Sequence, residues 1–479
     1  PPSKLRTGGR NKKGHFAAEG QRKFRLARGV SKYSYDIVME RERKMKRKSL
    51  LVKVLSVSLA CLMAAGSLAG CNSGGGGEAS GSQTATDGKY DLTFWTYSDM
   101  VLNDQGKLLD GWVEDFVAEN DDVNSISVVA KDDADLLTSL MAGVGLPDMF
   151  CAAGRDSVSF QKAIDLLDLT PLYEEDQEWS DGFYSEARDA VTIGGKKLAV
   201  PFMTFVPLIF RNTTVLEAAG IDWENEPLDT WEDFYDQCQR VKDAGYDATH
   251  SWSTGHFTCP AGILACDAEN LTIGVENGKT TIKPEQCVRA FETILAMEQY
   301  SNGMVYASQA ATEAFKTDQL AFLCAGPWTE PDYQQAGVKY DIQLIPAYEE
   351  GGWTGGCEGQ DWMYGVDSGD EGRNDAIRRW LKKMGDYETQ KEFTRVIGRS
   401  TLREDVMHDP EALELDVAKK LSQGLECGMY QMDFGHSSVF WVSAITDVAP
   451  LVTSGELTPE EAAQKYVDAI NALYAEAGE

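Results

Sequence analysis

Between Tyr90 and Cys151 the apolar residues alternate between two kinds of spacing, and that alternation limits the possible folds more than any other feature. Asp91-Leu92-Thr93-Phe94-Trp95-Thr96-Tyr97 is a β-rich run, and Ser98-Asp99 after it predicts a turn or helix cap. From Asp104 to Asn120, Leu108, Leu109, Trp112, Val113 and Phe116 recur at helical spacing. Ile126–Val129 predicts a second strand. Leu136, Leu137, Leu140 and Met141 predict a second helix, stopped at Gly143 or Gly145, and Asp148-Met149-Phe150-Cys151 opens a third strand. Strand and helix in this order predict a mostly parallel sheet with helices on its faces, an α/β architecture.

Later segments extend the pattern. Leu198–Phe210 is a long apolar passage broken by Pro201 and Pro207, and it reads as a crossing between two lobes. Thr230-Trp231-Glu232-Asp233 and Thr458-Pro459-Glu460-Glu461 are capping boxes that should open helices. Asp375–Gly385 predicts a helix with Ile377, Trp380, Leu381 and Met384 inward, while Leu320–Leu323 and Ile342–Ile345 predict strands. The 409 residues after Gly70 exceed one ordinary core, which also points to two lobes.

Ahead of this body lies Met45–Cys71. Lys46, Arg47, Lys48 and Lys53 form a basic head, Val54–Ala65 a short apolar run, and Leu68-Ala69-Gly70-Cys71 a small-residue end. The layout is that of an export signal, too short for a comfortable membrane span. Leu-Ala-Gly-Cys resembles the bacterial lipobox, so Cys71 is the expected lipid acceptor and everything after it is expected outside the cytoplasm. Residues 71–88 are rich in Gly, Ser and Thr and predict a flexible tether with a reach of about 23 Å. Residues 1–44 are basic and read as an over-extended frame, with Met45 as the expected start.

Charge narrows the partners. Residues 1–70 hold 17 Lys and Arg against four acids, leaving 28 basic and 72 acidic residues after Gly70, a formal balance of −44. Such a surface repels phosphate backbones and anionic headgroups, so nucleic acid is not expected and membrane attachment should come from lipid. Eight cysteines remain in the body once Cys61 and Cys71 are set aside. They allow 105 pairings or a set of buried thiols, and no C-x-x-C or His-Cys cluster suggests a metal.

Several stretches resemble the carbohydrate-binding group of extracytoplasmic solute-binding proteins of ATP-driven importers, which includes maltose-binding protein. They are Leu92-Thr93-Phe94-Trp95, Leu140-Met141-Ala142-Gly143 with Pro147-Asp148, Val200-Pro201-Phe202, Val215–Ile221, Thr230–Phe234, Gly326-Pro327-Trp328 and Ser438-Val439-Phe440-Trp441. Arg211 stands where the family often has Tyr, and Asn212-Thr213-Thr214 departs from its usual Lys-Asp. The resemblance implies two α/β lobes closing over a ligand, with crossings near Pro201–Pro207, Pro346–Tyr364 and Gly398–Asp409. It divides the body into 89–202 with 350–405 as lobe one and 203–349 with 406–479 as lobe two. It further implies a monomer that binds a carbohydrate, meets the permease subunits of an ABC transporter and needs no cofactor.

A sugar offers apolar C–H faces ringed by hydroxyls, so aromatic rings should cover the faces while polar side chains take the hydroxyls. Trp328 and Trp441 match family positions where aromatics stack on sugar. Trp252, His256 and Phe257 lie in a polar-aromatic loop. Tyr97, Ser98 and Asp99 follow the first strand's carboxyl end, where open α/β sheets place ligands. Asp148 and Arg155 are further candidates in lobe one. Met203 and Thr204 lie on the first crossing, and Glu358, Gln360, Asp361 and Trp362 on the second. A membrane-anchored glycoside hydrolase using a carboxylate pair is the competing class, and a binding protein presenting ligand to a membrane sensor a third. The chain lacks G-x-S-x-G, H-E-x-x-H and a P-loop.

Overall fold

The computed structural model describes residues 89–253, 263–264, 275–305, 308–354, 359–426 and 437–477. Residues 1–88, with the expected export signal, Cys71 and the expected tether, lie outside them. Cys151, Cys238, Cys287 and Cys324 are all buried.

Among the described residues, eleven strands build the two main sheets. In chain order they are β1 (Tyr90–Tyr97), β2 (Val123–Lys131), β3 (Met149–Ala153), β4 (Ala199–Phe205), β5 (Leu208–Asn212) and β6 (Asp247–Ser251). Then come β7 (Ser301–Val305), β8 (Leu320–Ala325), β9 (Tyr340–Leu344), β10 (Gly359–Gly365) and β11 (Ser400–Thr401). The first sheet has the order β11-β4-β10-β3-β1-β2, the second β7-β6-β8-β5-β9. β1 runs parallel to both β2 and β3, as the strand–helix alternation predicts.

Packing follows the sequence pattern. Along β1, Leu92, Phe94 and Thr96 are buried while the residues between them stay partly open. Phe94 and Phe116 both meet Trp380 edge-on, with ring centroids 6.0 and 5.2 Å away. Trp380 belongs to helix Glu371–Met384, whose Ile377, Leu381 and Met384 are buried beside it. β3, flanked on both sides, is buried at all five positions. The capping box at Thr230 is present in full, and Thr458 and Glu461 exchange a reciprocal pair of bonds at the head of helix Pro459–Ala477.

Strand direction then decides where the two sheets meet. Tyr97, Lys131 and Ala153 end three parallel strands on one edge of the first sheet. β10 and β11 run the other way and start on that edge, with Gly359 opposite Phe205 and Ser400 opposite Thr204. In the second sheet, Ser251, Val305 and Ala325 end parallel strands, and Leu208 lies opposite both Ala325 and Leu344. Only Val206 and Pro207 separate Phe205 from Leu208, so the two edges are tied within about 11 Å at this crossing. Pairing keeps Met203, Thr204 and Phe205 in the first sheet, three residues past the expected change of lobe.

Helix Asp416–Glu426 lies against β9 of one sheet and β11 of the other. Its Gly424 has a packing reason: a Cβ there would come within 2.5 Å of Val206 and 3.1 Å of Leu344. Helix propensity alone would make Gly424→Ala stabilising by about 1 kcal/mol. We expect the opposite, a loss of about 1–3 kcal/mol from overpacking against the crossing, relieved in part by Val206→Ala. Urea unfolding of the single and double variants decides it; a stabilised Gly424→Ala would show that the contact yields freely.

Candidate ligand-binding cleft

The cleft-facing edge of the first sheet carries a row of polar groups. The Tyr97 hydroxyl donates to Asp361 Oδ1 at 3.0 Å, and Ser98 Oγ to Asp132 Oδ1 at 2.9 Å. Thr204 Oγ1 donates to the Gly359 carbonyl at 2.6 Å and Ser400 Oγ to the Thr204 carbonyl at 2.8 Å, which locks β10 and β11 onto β4. Gln360 is buried and accepts from Trp362 Nε1 at 2.8 Å. Arg155, a third exposed, lies 3.8 Å from Asp156. Helix Ser437–Thr453 approaches Gly154–Asp156 and so joins the facing halves.

On the opposite edge, Trp328 sits in the turn that follows β8 and remains 40% exposed, high for a residue of its size. Its ring folds over Gly326, where a Cβ would stand 2.1 Å from the indole. Gly326 therefore lets an aromatic plate lie flat at the sheet edge.

Three candidates have their side chains committed elsewhere. Trp252 is fully buried, parallel to the His250 ring at 5.7 Å and donating to Thr249 Oγ1 at 2.9 Å, so it belongs to a core with Trp231 and Phe234. Trp362 is fully buried beneath Gly154, where its ring would stand 2.6 Å from a Cβ. Asp148 lies just before β3, about 16 Å from the cleft edge. Its carboxylate accepts from the Thr93 amide at 2.7 Å and from Arg373 Nε at 2.6 Å, tying β1 to helix Glu371–Met384. Met203 is buried below the edge. His256, Phe257, Glu358 and the side chain of Trp441 lie outside the described residues.

One residue of this edge carries no signal in the sequence. Arg399, just before β11, pairs with Asp99 beyond β1, so its side chain crosses the end of the sheet. The third crossing is legible, but nothing in Gly398-Arg399-Ser400 indicates so long a reach.

The profile of the bacterial extracellular solute-binding protein family matches residues 111–419, well over half of the chain. The chain belongs to that family. Solved structures of similar fold include the GacH receptor of Streptomyces glaucescens, determined unliganded and with acarbose. It shares 20% identity over 81% of this chain and 98% of its own, with a TM-score of 0.66. The cyclic α-maltosyl-1,6-maltose-binding protein of Arthrobacter globiformis matches at 18% identity over 81% of this chain and all of its own, TM-score 0.66. An ABC substrate-binding protein of Listeria monocytogenes, in complex with cycloalternan, matches at 20% over 80% and 98%, TM-score 0.64. Among curated proteins none matches significantly. The solute-binding fold is thus two-lobed, its halves built on the two sheets, and the family is one of binding proteins and not of enzymes.

In this solute-binding protein His250 is part of the scaffold. Its Nδ1 donates to the Ser251 carbonyl at 2.8 Å and its Nε2 accepts from the Cys324 amide at 3.2 Å, a neutral ring with both nitrogens used. Burial lowers its pKa from 6.5 to about 4. Between those values the unfolded chain binds the extra proton, so the stabilisation is complete above pH 6.5 and is lost as pH falls toward 4. By pH 4.5 this group alone should remove about 2–3 kcal/mol relative to pH 7. His250→Gln should flatten that part of the stability–pH profile in urea unfolding; an unchanged slope would place the acid sensitivity elsewhere.

Proposed function

We propose that this protein captures an uncharged sugar or oligosaccharide between its two lobes outside the cytoplasm, held to the membrane by lipid on Cys71, and delivers it to an ABC importer. The observation that carries this reading is the half-exposed Trp328 standing at one cleft edge while Tyr97, Asp99 and Asp361 stand at the other. An indole face and a row of hydroxyl partners are what a sugar ring requires on its two kinds of surface. The polar groups contact both faces of a guest only when the lobes are shut, so binding favours the closed form. The saccharides bound by the similar structures support a carbohydrate, and the family supports an extracytoplasmic site.

A thermal-shift screen of the full chain in detergent against neutral oligosaccharides tests the reading. A saccharide at one hundred times its Kd should stabilise the fold by about 2.7 kcal/mol and be recovered intact after hours. No stabilisation by any carbohydrate would reject the sugar, and release of reducing ends would restore the hydrolase. Cys71→Ser should abolish labelling by a fatty-acid probe in cells; persistent labelling would move the anchor elsewhere.

A further inference from the structure

Arg399 is nine-tenths buried, yet it lies at the cleft-facing end of the first sheet and its charge is matched by a carboxylate from far across that sheet. Every nitrogen of the guanidinium is occupied. Nη2 donates to Asp99 Oδ2 and Nη1 to the Met203 sulfur at 3.7 Å; with the Gln105 amide turned to satisfy its neighbours, its oxygen accepts from Nε at 3.2 Å and its nitrogen donates to the Asp99 carbonyl. Nine-tenths buried and with three of its five N–H groups engaged, Arg399 is better placed to hold Asp99 than to reach a ligand itself. Asp99 differs: its side chain is 43% exposed at the carboxyl end of β1, so the carboxylate is open to solvent there while one oxygen is held by Arg399.

Asp361 stands on the same edge, held by the Tyr97 hydroxyl. With Asp132 and the Arg155–Asp156 pair on the same edge, carboxylates outnumber cations in this part of the cleft, in a body whose formal charge is −44. Left alone, they would draw cations into the site. The buried guanidinium offsets one of them and fixes its direction.

We propose that Arg399 is a positioning residue that sets the charge preference of the cleft: by pairing with Asp99 it lets the site accept a neutral polyhydroxyl guest and turn away an amine-bearing one. The inference rests on the cleft being the ligand site. A charge preference requires Arg399 to act through Asp99, so the two positions must be coupled. A purely structural role would weaken all ligands alike.

The experiment uses the full chain in detergent, with fully deacetylated chitotriose as a cationic probe and maltotriose as a neutral one, by calorimetry at two salt concentrations. Arg399→Met should raise affinity for the cationic trisaccharide about tenfold or more at low salt, and added salt should erase the gain. Adding Asp99→Asn should remove it. Arg399→Gln, which keeps hydrogen-bonding capacity without charge, should show the same gain and serves if the Met variant folds poorly. Arg399→Lys should stay close to the parent. No gain for the cationic probe in either neutral variant, or a gain that survives Asp99→Asn, overturns the proposal. The cationic arm stands whether or not the parent binds maltotriose, so failure of the neutral arm would count against the sugar reading alone.

Discussion

Replacing Arg211 by Met should cost the fold about 3–5 kcal/mol, the largest single effect expected outside the cleft. The side chain is 1% exposed on the interior strand β5, between β8 and β9. Its Nε donates to Asp341 Oδ2 at 2.7 Å, Nη1 to the Glu226 carbonyl at 2.8 Å and Nη2 to the Trp223 carbonyl at 2.9 Å. One guanidinium thus ties β5 to β9 and to the loop ahead of helix Trp231–Asp243. Methionine fills much of the volume but takes the guanidinium from the Trp223 carbonyl and a partly buried carboxylate, on which most of the desolvation cost falls, while the Glu226 carbonyl keeps Gln237 Nε2 at 2.9 Å. Asp341 retains Gln343 Nε2 at 2.6 Å, which limits the loss. Urea unfolding should show a lower midpoint at unchanged slope, and Arg211→Met with Asp341→Leu should recover part of the deficit. A deficit below about 1 kcal/mol for the single variant would mean that water reaches the orphaned groups.

The second large effect concerns binding. Trp328→Ala should weaken the stabilising saccharide thirtyfold or more, about 2–3 kcal/mol, by removing the aromatic plate. Fold stability should change by less than about 1 kcal/mol, because so much of the ring is already in water. Gly326→Ala should mimic it in milder form, since a methyl group there would collide with the indole and lift it from the sheet edge. Calorimetry with the same saccharide checks both. An unaltered Kd in Trp328→Ala would remove this residue from the site.

These two residues also mark how far local sequence pattern reaches. Trp328 is singled out by the family resemblance of Gly-Pro-Trp, and the structure puts it in the turn just after β8. The core positions of Trp252 and Trp362 are not legible, for both sit in polar surroundings along the chain. Whether an indole faces a cleft or a core depends on which side of a sheet it occupies and what packs over it, and in these two cases His250 and Gly154 provide the cover. Period-two and helical spacing locate β1 and helix Glu371–Met384 well, for the pattern and the burial are the same physical fact. Asp148 looks like a cleft residue because Pro-Asp follows a helix, but its two partners are 55 and 225 residues away in the chain. Arg211 is a structural hub whose role is hidden for a similar reason: its carboxylate partner Asp341 lies 130 residues away. The Asn212 that replaces the usual residue caps the next helix by accepting from the Val215 amide at 3.1 Å.

Hydrogen exchange of the full chain, with and without the saccharide that stabilises it, tests the central claim most directly. If a guest is gripped between two closing lobes, amides at 97–99 and 359–361 on one edge and those of Gly326 and Trp328 on the other should slow together, at one ligand equivalent. Slowing confined to a single edge, or spread through regions remote from both, would contradict the account.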